Sequence, residues 1–282
     1  PQMFATTSGT MGRPKYIPVN DSYIKEFRHA SIASGFFTFK NYPALQNGVT
    51  LSVFSPAQEG LSPAGIPYGA ISGQLYLKEP GLVKKYISPI PYQVYLSRDY
   101  ETKYYALLRC ALMLPLSSIY TLNPSTIVVL LKRLKKYAQS LVKDIAEGSF
   151  SPPSACSQSL KDALKPFLQK DIKRAAELQK LLDQGQFRAE HIWPGLQLVC
   201  CWTRASAAFY VKDFPGEFGK IPICDISYGA SEGRGSVSMG DGRQLLSIRS
   251  HYFEFIPEDQ IDLSDPAVLQ AHELEAGQNY YI

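Results

Sequence analysis

The sequence predicts an α/β fold in which helices flank mixed β-sheets. Two nearly continuous apolar runs, at residues 196–202 and 221–228, are typical of strands that are covered on both faces. Within residues 124–147, apolar side chains recur at intervals of three and four, as in an amphipathic helix. Helices are expected to dominate residues 100–185, and strands the last third of the chain. This order fits a layered α/β domain best.

The first elements have recognisable boundaries. A short apolar strand is expected at residues 16–19, and Asn20 then offers an N-cap for a helix that reaches about Phe39. Apolar and polar side chains alternate at residues 49–54, which predicts a half-buried strand. Residues 56–73 are rich in Gly, Pro, Ser and Ala and are expected to form a loop.

Three helices are expected in the middle of the chain. The first covers residues 100–113. The second starts at Asn123, an N-cap followed by Pro124 at the first helical position, and runs to Gly148. A third, charged and amphipathic, covers residues 159–185. Beyond these helices, residues 244 to 256 are expected to form a longer strand or hairpin arm.

Composition narrows the class of protein. The 282 residues suggest about two domains or one large α/β domain. No stretch approaches the ~18 apolar residues of a membrane span, so we expect no membrane-spanning segment. A net charge of +4 suits an anionic small molecule but is too weak to imply a nucleic-acid partner. The basic cluster at residues 132–136 leaves nucleic-acid binding as a weaker alternative to a solvated helix face.

The cysteines predict structural rather than chemical roles. The five positions fit neither paired C-x-x-C motifs nor a zinc pattern, and buried inert thiols are expected at Cys110, Cys156, Cys200, Cys201 and Cys224. Unpaired thiols weakly indicate a reducing compartment, so a cytoplasmic location is expected. The four histidines share no metal-ligand spacing and are expected to be structural or exposed.

Both ends of the sequence suggest a fragment. The chain begins at Pro1, only five residues before a small-residue motif that starts at Thr6. Residues 278–282 resemble the start of a strand. We therefore expect a chain that is open at both ends.

The first candidate site is a small-residue loop that ends in a lysine. Glycines let backbone N–H groups turn around an anion, hydroxyls add donors, and lysine adds a mobile positive charge. The spacing differs from the Walker loop, so a generic Ser/Gly turn remains an equally good interpretation of composition alone. The candidate phosphate-binding residues are Thr7, Ser8, Gly9, Thr10, Gly12 and Lys15.

The second candidate site follows a buried apolar strand, where open α/β sheets bind ligands. Tyr228 could pack its ring on a planar base. Ser231 could donate to a phosphate. Glu232 could hold magnesium, which prefers one or two carboxylates together with substrate phosphates. A tight turn with a capped carboxylate is the alternative.

Together the motifs resemble those of a known enzyme group. Thr-Ser-Gly-Thr-x-Gly-x-Pro-Lys at residues 7–15 closely resembles the phosphate loop of the adenylate-forming superfamily, and Tyr-Gly-x-Ser-Glu at 228–232 is similar to its second motif. Three further stretches resemble elements of the auxin-responsive Gretchen Hagen family of acyl acid–amido synthetases. They are Ile-Trp-Pro-Gly at 192–195, Ile-Pro-Ile at 221–223 and Tyr-Phe-Glu-Phe-Ile-Pro at 252–257. The resemblance covers essentially the whole chain.

The resemblance implies an ATP-dependent ligase that works in two steps. A small carboxylic acid is adenylated, and the amine of an amino acid then displaces AMP. ATP and magnesium are the implied cofactors. The implied catalytic residues are Lys15 and Glu232, and Glu232 is also the implied metal ligand. The resemblance further implies that nucleotide is bound by the phosphate loop together with Tyr228, Gly229, Ala230 and Ser231.

The resemblance also has departures. Residues 1–282 would be the large N-terminal adenylation core domain without its C-terminal lid domain, and nearly inactive alone in amide formation. In plant members an Arg near the helix at 124–147 meets the acyl carboxylate. Residues 120–129 contain no Arg, which places a plant-hormone substrate in question. The alternatives are an acyl–coenzyme A ligase of the same superfamily and a non-catalytic nucleotide-binding or interaction protein.

Overall fold

The structure, a computed structural model, describes residues 1–6 and 15–282. The strands, numbered in chain order, are β1 Met3–Thr6, β2 Tyr16–Val19, β3 Val49–Val53, β4 Gly60–Leu61, β5 Pro67–Gly69, β6 Leu116–Thr121, β7 Leu198–Cys201, β8 Ile223–Asp225, β9 Gly229–Ala230, β10 Gly233–Arg234, β11 Ser236–Ser238, β12 Gln244–Leu246, β13 Ile256–Pro257 and β14 Tyr280–Tyr281. The predicted α/β class with several sheets is confirmed.

Helices flank these sheets. They are α1 Asp21–Asn41, α2 Ile71–Lys78, α3 Gly81–Ile87, α4 Tyr92–Tyr95, α5 Tyr100–Ala111, α6 Pro124–Lys136, α7 Ala138–Glu147, α8 Gln158–Leu164, α9 Ile172–Asp183, α10 Ala189–Ile192, α11 Ala208–Val211 and α12 Pro215–Phe218. Within the described part of the chain, no helix combines the length and the apolar character needed to cross a membrane.

Four parallel strands form the central sheet, in the order β3-β6-β7-β8. All three neighbouring pairs in this sheet are parallel. The carboxyl ends of the strands therefore lie at one edge of the sheet. In open α/β sheets this edge is where ligands bind.

The two faces of the central sheet meet different surroundings. Alternate residues of a strand point to opposite faces. Val199 and Cys201 of β7 belong to the main core, which also includes residues of α5, α6 and α7. Leu198 and Cys200 of the same strand form a smaller cluster with Cys224 on the other face. Both faces are covered, which explains the continuous apolar run at residues 196–202.

A second sheet holds the start of the described chain. Its order is β2-β1-β5-β4, and β1 pairs antiparallel with β2 but parallel with β5. The predicted strand at residues 16–19 is confirmed. The predicted cap of α1 is confirmed too, because the side chain of Asn20 accepts a 2.9 Å hydrogen bond from the N–H of Tyr23. Helix α1 packs on this sheet through Tyr23 and Ile24.

The expected helix from Asn123 to Gly148 is two helices, α6 and α7. The break falls at Tyr137, whose φ of −103° and ψ of 9° depart from helical values. The Tyr137 ring packs edge-on against Tyr105, with 5.4 Å between centroids, and its hydroxyl donates to Glu101. These contacts with α5 accompany the break in the helix, although the apolar periodicity of residues 124–147 continues through it. The predicted ends are confirmed, since Asn123 caps α6 and Gly148 ends α7 in the left-handed region.

The expected helix at residues 159–185 is also divided, into α8 and α9. A 3-10 turn at Lys165–Phe167 follows α8 and contains Pro166, which has no backbone N–H to continue an α-helix. Helix α9 then starts afresh at Asp171, whose side chain accepts a 2.8 Å hydrogen bond from the N–H of Arg174.

Strand β6 lies inside the stretch that the sequence predicted as helical. It is a central strand of the parallel sheet, yet two of its six residues are serines. The hydroxyl of Ser117 donates to the carbonyl of Leu45 at 2.8 Å, and the hydroxyls of Ser118 and Thr50 lie 2.7 Å apart. The buried serines find their hydrogen-bond partners in distant parts of the chain. Because serines interrupt the apolar pattern, the sequence shows no apolar run that would predict this strand.

Two further expectations were wrong in detail. The expected loop at residues 56–73 contains β4, β5 and the start of α2. At residues 244–256, a longer strand or a hairpin arm was expected. Only β12, which pairs antiparallel with β11, and the first residue of β13 are strand, so the arm is much shorter than expected. A turn closed by the N–H of Ser250 on the carbonyl of Ser247, at 2.9 Å, interrupts it.

The basic cluster on α6 is largely neutralised within the molecule. Arg133 and Lys136 both pair with Glu101 on α5, and Lys135 pairs with Glu217 on α12. Three of the four cations are therefore explained by contacts between helices, without an external anionic partner.

Candidate functional site

The second motif is a hairpin beyond the carboxyl end of β8. Strands β9 and β10 pair so that Ser231 and Glu232 form the turn between them. The turn considered as an alternative in the sequence is therefore present. Tyr228 is 56% exposed just before the hairpin, and Glu232 is exposed at its tip. Both side chains are accessible to a ligand.

Asp225, the last residue of β8, organises the approach to this hairpin. Its carboxylate accepts from the N–H and the hydroxyl of Thr203 at 2.9 and 2.7 Å, from the N–H of Ser227 at 2.8 Å and from the amide of Gln244 at 2.6 Å. Burial raises the pKa of Asp225, but the hydrogen bonds from Thr203 and Ser227 outweigh it, so the net pKa lies below the ordinary value.

The backbone at Ser227 is strained. Its φ is +80°, in a region that costs a residue with a side chain of order 1 kcal/mol or more. The Ser227 hydroxyl donates to the carbonyl of Ser236 at 2.9 Å, and the indole N–H of Trp202 donates to the Ser227 carbonyl at 3.1 Å. These contacts hold the bend that turns the chain from β8 towards Tyr228.

The turn of the hairpin meets the first sheet. The hydroxyl of Tyr23 on α1 donates a 2.7 Å hydrogen bond to the carbonyl of Ser231. The Ser231 hydroxyl makes a longer contact, 3.5 Å, with the carbonyl of Thr6 at the end of β1. Burial, and then the charge of Glu232, raise the pKa of the Tyr23 phenol. Tyr23 therefore remains a neutral donor to this turn.

The first motif begins at the same place. Thr7, Ser8, Gly9, Thr10 and Gly12 lie outside the described residues. Lys15 is described, and it is exposed directly before β2. Strands β1 and β2 pair Thr6 with Tyr16, so the two described ends of the first motif lie side by side. The contact between Thr6 and Ser231 then joins this point to the second motif.

A cavity of about 430 Å³ extends from the hairpin along the second face of the central sheet. Gly229, Ala230 and Ser231 of the second motif line one part of it. Aliphatic and aromatic side chains both contribute to its wall, as in sites that hold small organic ligands. The aromatic residues are Phe27, Phe39, Phe54, Tyr76, Tyr120 and Trp202.

Arg234 also lines this cavity, although the sequence analysis did not select it. The residue is only 8% exposed. One terminal nitrogen of its guanidinium donates to the carbonyl of Ile226 and to the hydroxyl of Ser227, both at 2.7 Å. The only signal in the sequence was its position, two residues after the Glu232 of the motif.

Two of the cysteines lie in the cavity wall. Cys200 and Cys224 are register partners on β7 and β8. The hydrogen bond between them lowers the pKa of Cys224, against the effect of burial, and raises that of Cys200. Cys110, Cys200, Cys201 and Cys224 are buried as predicted, and their inertness stays a prediction. The prediction of burial fails for Cys156, which is only partly buried.

The described residues contain no cluster of three or more His, Cys, Asp or Glu side chains that could hold a metal by themselves. Magnesium differs from zinc in this respect, because it commonly takes one or two carboxylates and completes its shell with water and phosphate oxygens. A single exposed carboxylate such as Glu232 fits that requirement. The predicted role of Glu232 as a magnesium ligand stays a prediction.

Comparison with protein families decides the assignment. The model of the GH3 family N-terminal domain matches residues 1–223, and that of the GH3 family central domain matches residues 244–282. The chain belongs to the GH3 family. The resemblance to the Gretchen Hagen acyl acid–amido synthetases, drawn from the motifs, is thereby confirmed.

Individual GH3 relatives are distant in sequence. The jasmonoyl–L-amino acid synthetase JAR4 of Nicotiana attenuata is 22% identical, and the match covers 97% of this chain and 50% of the relative. The jasmonoyl–L-amino acid synthetase GH3.5 of Oryza sativa subsp. japonica is 24% identical, over 89% of this chain and 46% of the relative. The chain thus spans about half the length of these curated relatives, which are amino acid-conjugating ligases.

Solved structures show the same fold. A GH3.15 acyl acid amido synthetase superimposes with a TM-score of 0.84 at 17% identity, over 99% of this chain and 49% of that chain. The AtGH3.15 acyl acid amido synthetase in complex with 2,4-DB gives a TM-score of 0.85 at 18% identity, over 99% and 50% of the two chains. The α/β arrangement described above is therefore the GH3 arrangement.

Proposed function

We propose that this chain carries the adenylating site of an ATP-dependent acyl acid–amido synthetase. In the first step a carboxylate oxygen attacks the α-phosphorus of ATP, the bond from that phosphorus to the bridging oxygen breaks, and pyrophosphate leaves. In the second step the amine of an amino acid attacks the acyl carbon. AMP then leaves, the nitrogen loses a proton, and an amide forms.

One observation carries this proposal: Ser231 contacts Thr6 across 225 residues of sequence. The two motifs were selected independently, by composition and spacing. In the structure the second motif lies against the described end of the first, beside the carboxyl edge of the central sheet. A nucleotide needs both sets of donors at one place, and this contact supplies the common point.

The proposed roles follow from where charge develops. Negative charge builds on phosphate oxygens during adenylation, and fixed donors stabilise it better than bulk water does. Ser8, Gly9, Thr10 and Lys15 would supply such donors, with Thr7 and Gly12 shaping the loop. Ser231 would donate to the α-phosphate. The exposed ring of Tyr228, next to Gly229 and Ala230, would pack on the adenine.

Glu232 would hold magnesium against the phosphates. The metal would neutralise phosphate charge and assist the departure of pyrophosphate. The exposed position of Glu232 at the tip of the turn leaves it free to approach a bound nucleotide. The charge of Glu232 raises the pKa of Tyr23, the phenol that donates to the Ser231 carbonyl, so Glu232 and Ser231 share one electrostatic environment.

The experiment has two stages. Calorimetry with magnesium and a non-hydrolysable ATP analogue measures nucleotide binding by the 282-residue chain. Exchange of labelled pyrophosphate into ATP, with a panel of small carboxylic acids, measures adenylation by the natural gene product that contains this chain. Amino acids and coenzyme A are then compared as acyl acceptors, which separates an amido synthetase from a coenzyme A ligase. Absence of both nucleotide binding and exchange would remove the proposal.

A further inference from the structure

Cys200 and Cys224 form a pair of thiols in the wall of the cavity. They are register partners on β7 and β8, which are neighbouring parallel strands. Their side chains belong to one cluster on the second face of the central sheet, and both line the cavity. They are 8% and 7% exposed, so each keeps a small accessible surface. The pair is therefore held within the sheet but faces a space that small molecules can enter.

The spacing of the two strands suits a disulfide bond. Neighbouring strands in a sheet lie about 4.8 Å apart, so register partners have Cα atoms at about this distance. Disulfides join Cα atoms that are about 4.4 to 6.8 Å apart. A hydrogen bond already joins the two thiols, which shows that their sulfur atoms point towards each other. A bridge between them therefore requires rotation of the side chains rather than a new pairing of the strands.

The two thiols differ in acidity. The hydrogen bond with Cys200, helped by a 3.8 Å contact between the Cys224 sulfur and the hydroxyl of Ser238, lowers the pKa of Cys224 against the effect of burial. The same hydrogen bond and burial raise the pKa of Cys200. The thiolate is the nucleophilic form of cysteine. Cys224 is therefore the thiol that reacts first, and Cys200 is the partner that closes the bridge.

The other three cysteines lack this combination. Cys201 points to the opposite face of β7, into the main core, and its register partner on β8 is Asp225. Burial raises the pKa of Cys201. Cys110 lies in the same core without exposed surface, and Cys156 is partly buried but does not line the cavity. The cavity thus gives access to one thiol pair.

We propose that Cys200 and Cys224 are an oxidation site, a dithiol that a small hydroperoxide such as hydrogen peroxide converts into a disulfide bond. The site is independent of the proposed function. It replaces the expected inertness of these two thiols and leaves that expectation in place for Cys110 and Cys201. The cavity of about 430 Å³ admits an oxidant little larger than water.

The chemistry proceeds in two steps. The Cys224 thiolate attacks one oxygen of the peroxide, the O–O bond breaks, and hydroxide leaves and takes up the proton that Cys224 released. The sulfur of Cys200 then attacks the sulfur of the resulting sulfenic acid. The S–O bond breaks, and the hydroxyl leaves as water with the proton of Cys200. Two thiols are oxidised to one disulfide, one peroxide is reduced to two waters, and an external thiol can restore the pair by exchange.

The test maps the bridge by mass spectrometry. The 282-residue chain is reduced, freed of reductant and treated with stoichiometric hydrogen peroxide. Remaining thiols are then blocked with N-ethylmaleimide before digestion with trypsin. Cleavage after Lys and Arg places Cys200 in the peptide of residues 189–204 and Cys224 in that of residues 221–234. We expect these two peptides to be linked, the intact monomeric chain to lose two hydrogen atoms, and dithiothreitol to restore the free thiols.

Variants identify the two sulfur atoms. Cys201 shares its tryptic peptide with Cys200, so Cys201→Ala is the matched control and should keep the linked fraction within about twofold of the wild type. Cys200→Ala should abolish the link and leave a sulfenic acid on Cys224 that dimedone traps. Cys224→Ala should abolish both the link and the trapped sulfenic acid. Circular dichroism checks that each variant folds, and for a variant that does not, fragmentation of the linked wild-type peptides decides which sulfur is used.

Three outcomes would overturn the inference. The folded wild-type chain could form no linked peptides even in excess peroxide. The link could join two chains instead of two strands of one chain, which the mass of the intact protein reveals. Finally, the link could survive in folded Cys200→Ala or Cys224→Ala, or be lost in folded Cys201→Ala, and either result would place a different sulfur in the bridge.

Discussion

The hydroxyl of Tyr23 donates a 2.7 Å hydrogen bond to the backbone carbonyl of Ser231, 208 residues further along the chain. This bond ties helix α1 to the turn between β9 and β10. Helix α1 begins directly after β2, so its position also depends on the strand that follows the first motif. One phenol thus links the segments that bear both motifs.

Removing this phenol should loosen the turn without removing any group assigned to the nucleotide. For Tyr23→Phe we expect a loss of about 1 kcal/mol in the free energy of unfolding, since one partly buried hydrogen bond disappears. Pyrophosphate exchange should fall several-fold because Ser231 is held less firmly. Tyr100→Phe, at an exposed phenol, serves as the control. Exchange that is equal in both variants would show that this bond is not needed to position the turn.

Glu232→Gln should lower pyrophosphate exchange by about one to two orders of magnitude, because the change removes a formal charge from the proposed metal site. Folding should be nearly unaffected, since Glu232 is exposed. Glu254→Gln, also at an exposed carboxylate, is the matched control. Exchange with normal magnesium dependence in Glu232→Gln would exclude this carboxylate from the mechanism.

Asp225→Asn should destabilise the chain by about 1–3 kcal/mol at pH 7, because a neutral amide cannot accept all four hydrogen bonds that the carboxylate accepts. The folded pKa of Asp225 lies below its ordinary value of 3.8, so its contribution is present above that pH and is lost as the pH falls through the folded pKa. The difference between wild type and variant should therefore shrink below about pH 4. Urea unfolding at pH 7, 5 and 3 measures it, and a difference independent of pH would contradict the assignment.

Glu101 offers a second test of pH dependence, away from the site. Hydrogen bonds from Lys136, Tyr137 and Arg133 lower the pKa of Glu101 to about 2. The stabilisation is therefore complete above the ordinary value of 4.5 and is lost as the pH falls from there towards about 2. Glu101→Gln should cost about 1 kcal/mol at pH 7, a modest value because the partners remain in contact with water.

The loss in Glu101→Gln should largely disappear near pH 2, where about half of the wild-type carboxyl is protonated. Thermal unfolding of both chains from pH 7 to pH 2 checks this. Pyrophosphate exchange at pH 7 serves as the internal control and should stay unchanged, since Glu101 joins α5 to α6 rather than contacting the cavity. A loss of stability that persists undiminished at pH 2 would point to packing instead of charge.

Several features of the fold could be predicted from the sequence because they depend on near neighbours. The cap at Asn20 needs only the N–H of Tyr23, three residues away. The cap at Asn123 needs only Ser125. The apolar run at residues 196–202 indicates that both faces of one strand are covered, and this inference does not depend on which elements cover them. The residue types and spacing of both motifs likewise predict nucleotide binding, which stays a prediction.

Other features escaped prediction because distant partners decide them. Strand β6 is buried through serines that bond to Leu45 and Thr50, from another part of the chain. The helix break at Tyr137 depends on contacts with α5. In neither place does the local pattern of apolar residues change, so periodicity alone could not reveal the outcome.

The sequence by itself determined the α/β class, the caps and the chemical character of the two motifs, since each is encoded in side chains within a few residues of one another. Only the tertiary structure brought Thr6, Tyr23 and Ser231 together and placed Arg234 in the wall of a cavity. The physical reason is that burial and electrostatic pairing depend on which groups fold around a residue. Those groups come here from β1, α1 and the strands of the central sheet, which lie up to about 230 residues apart in the chain.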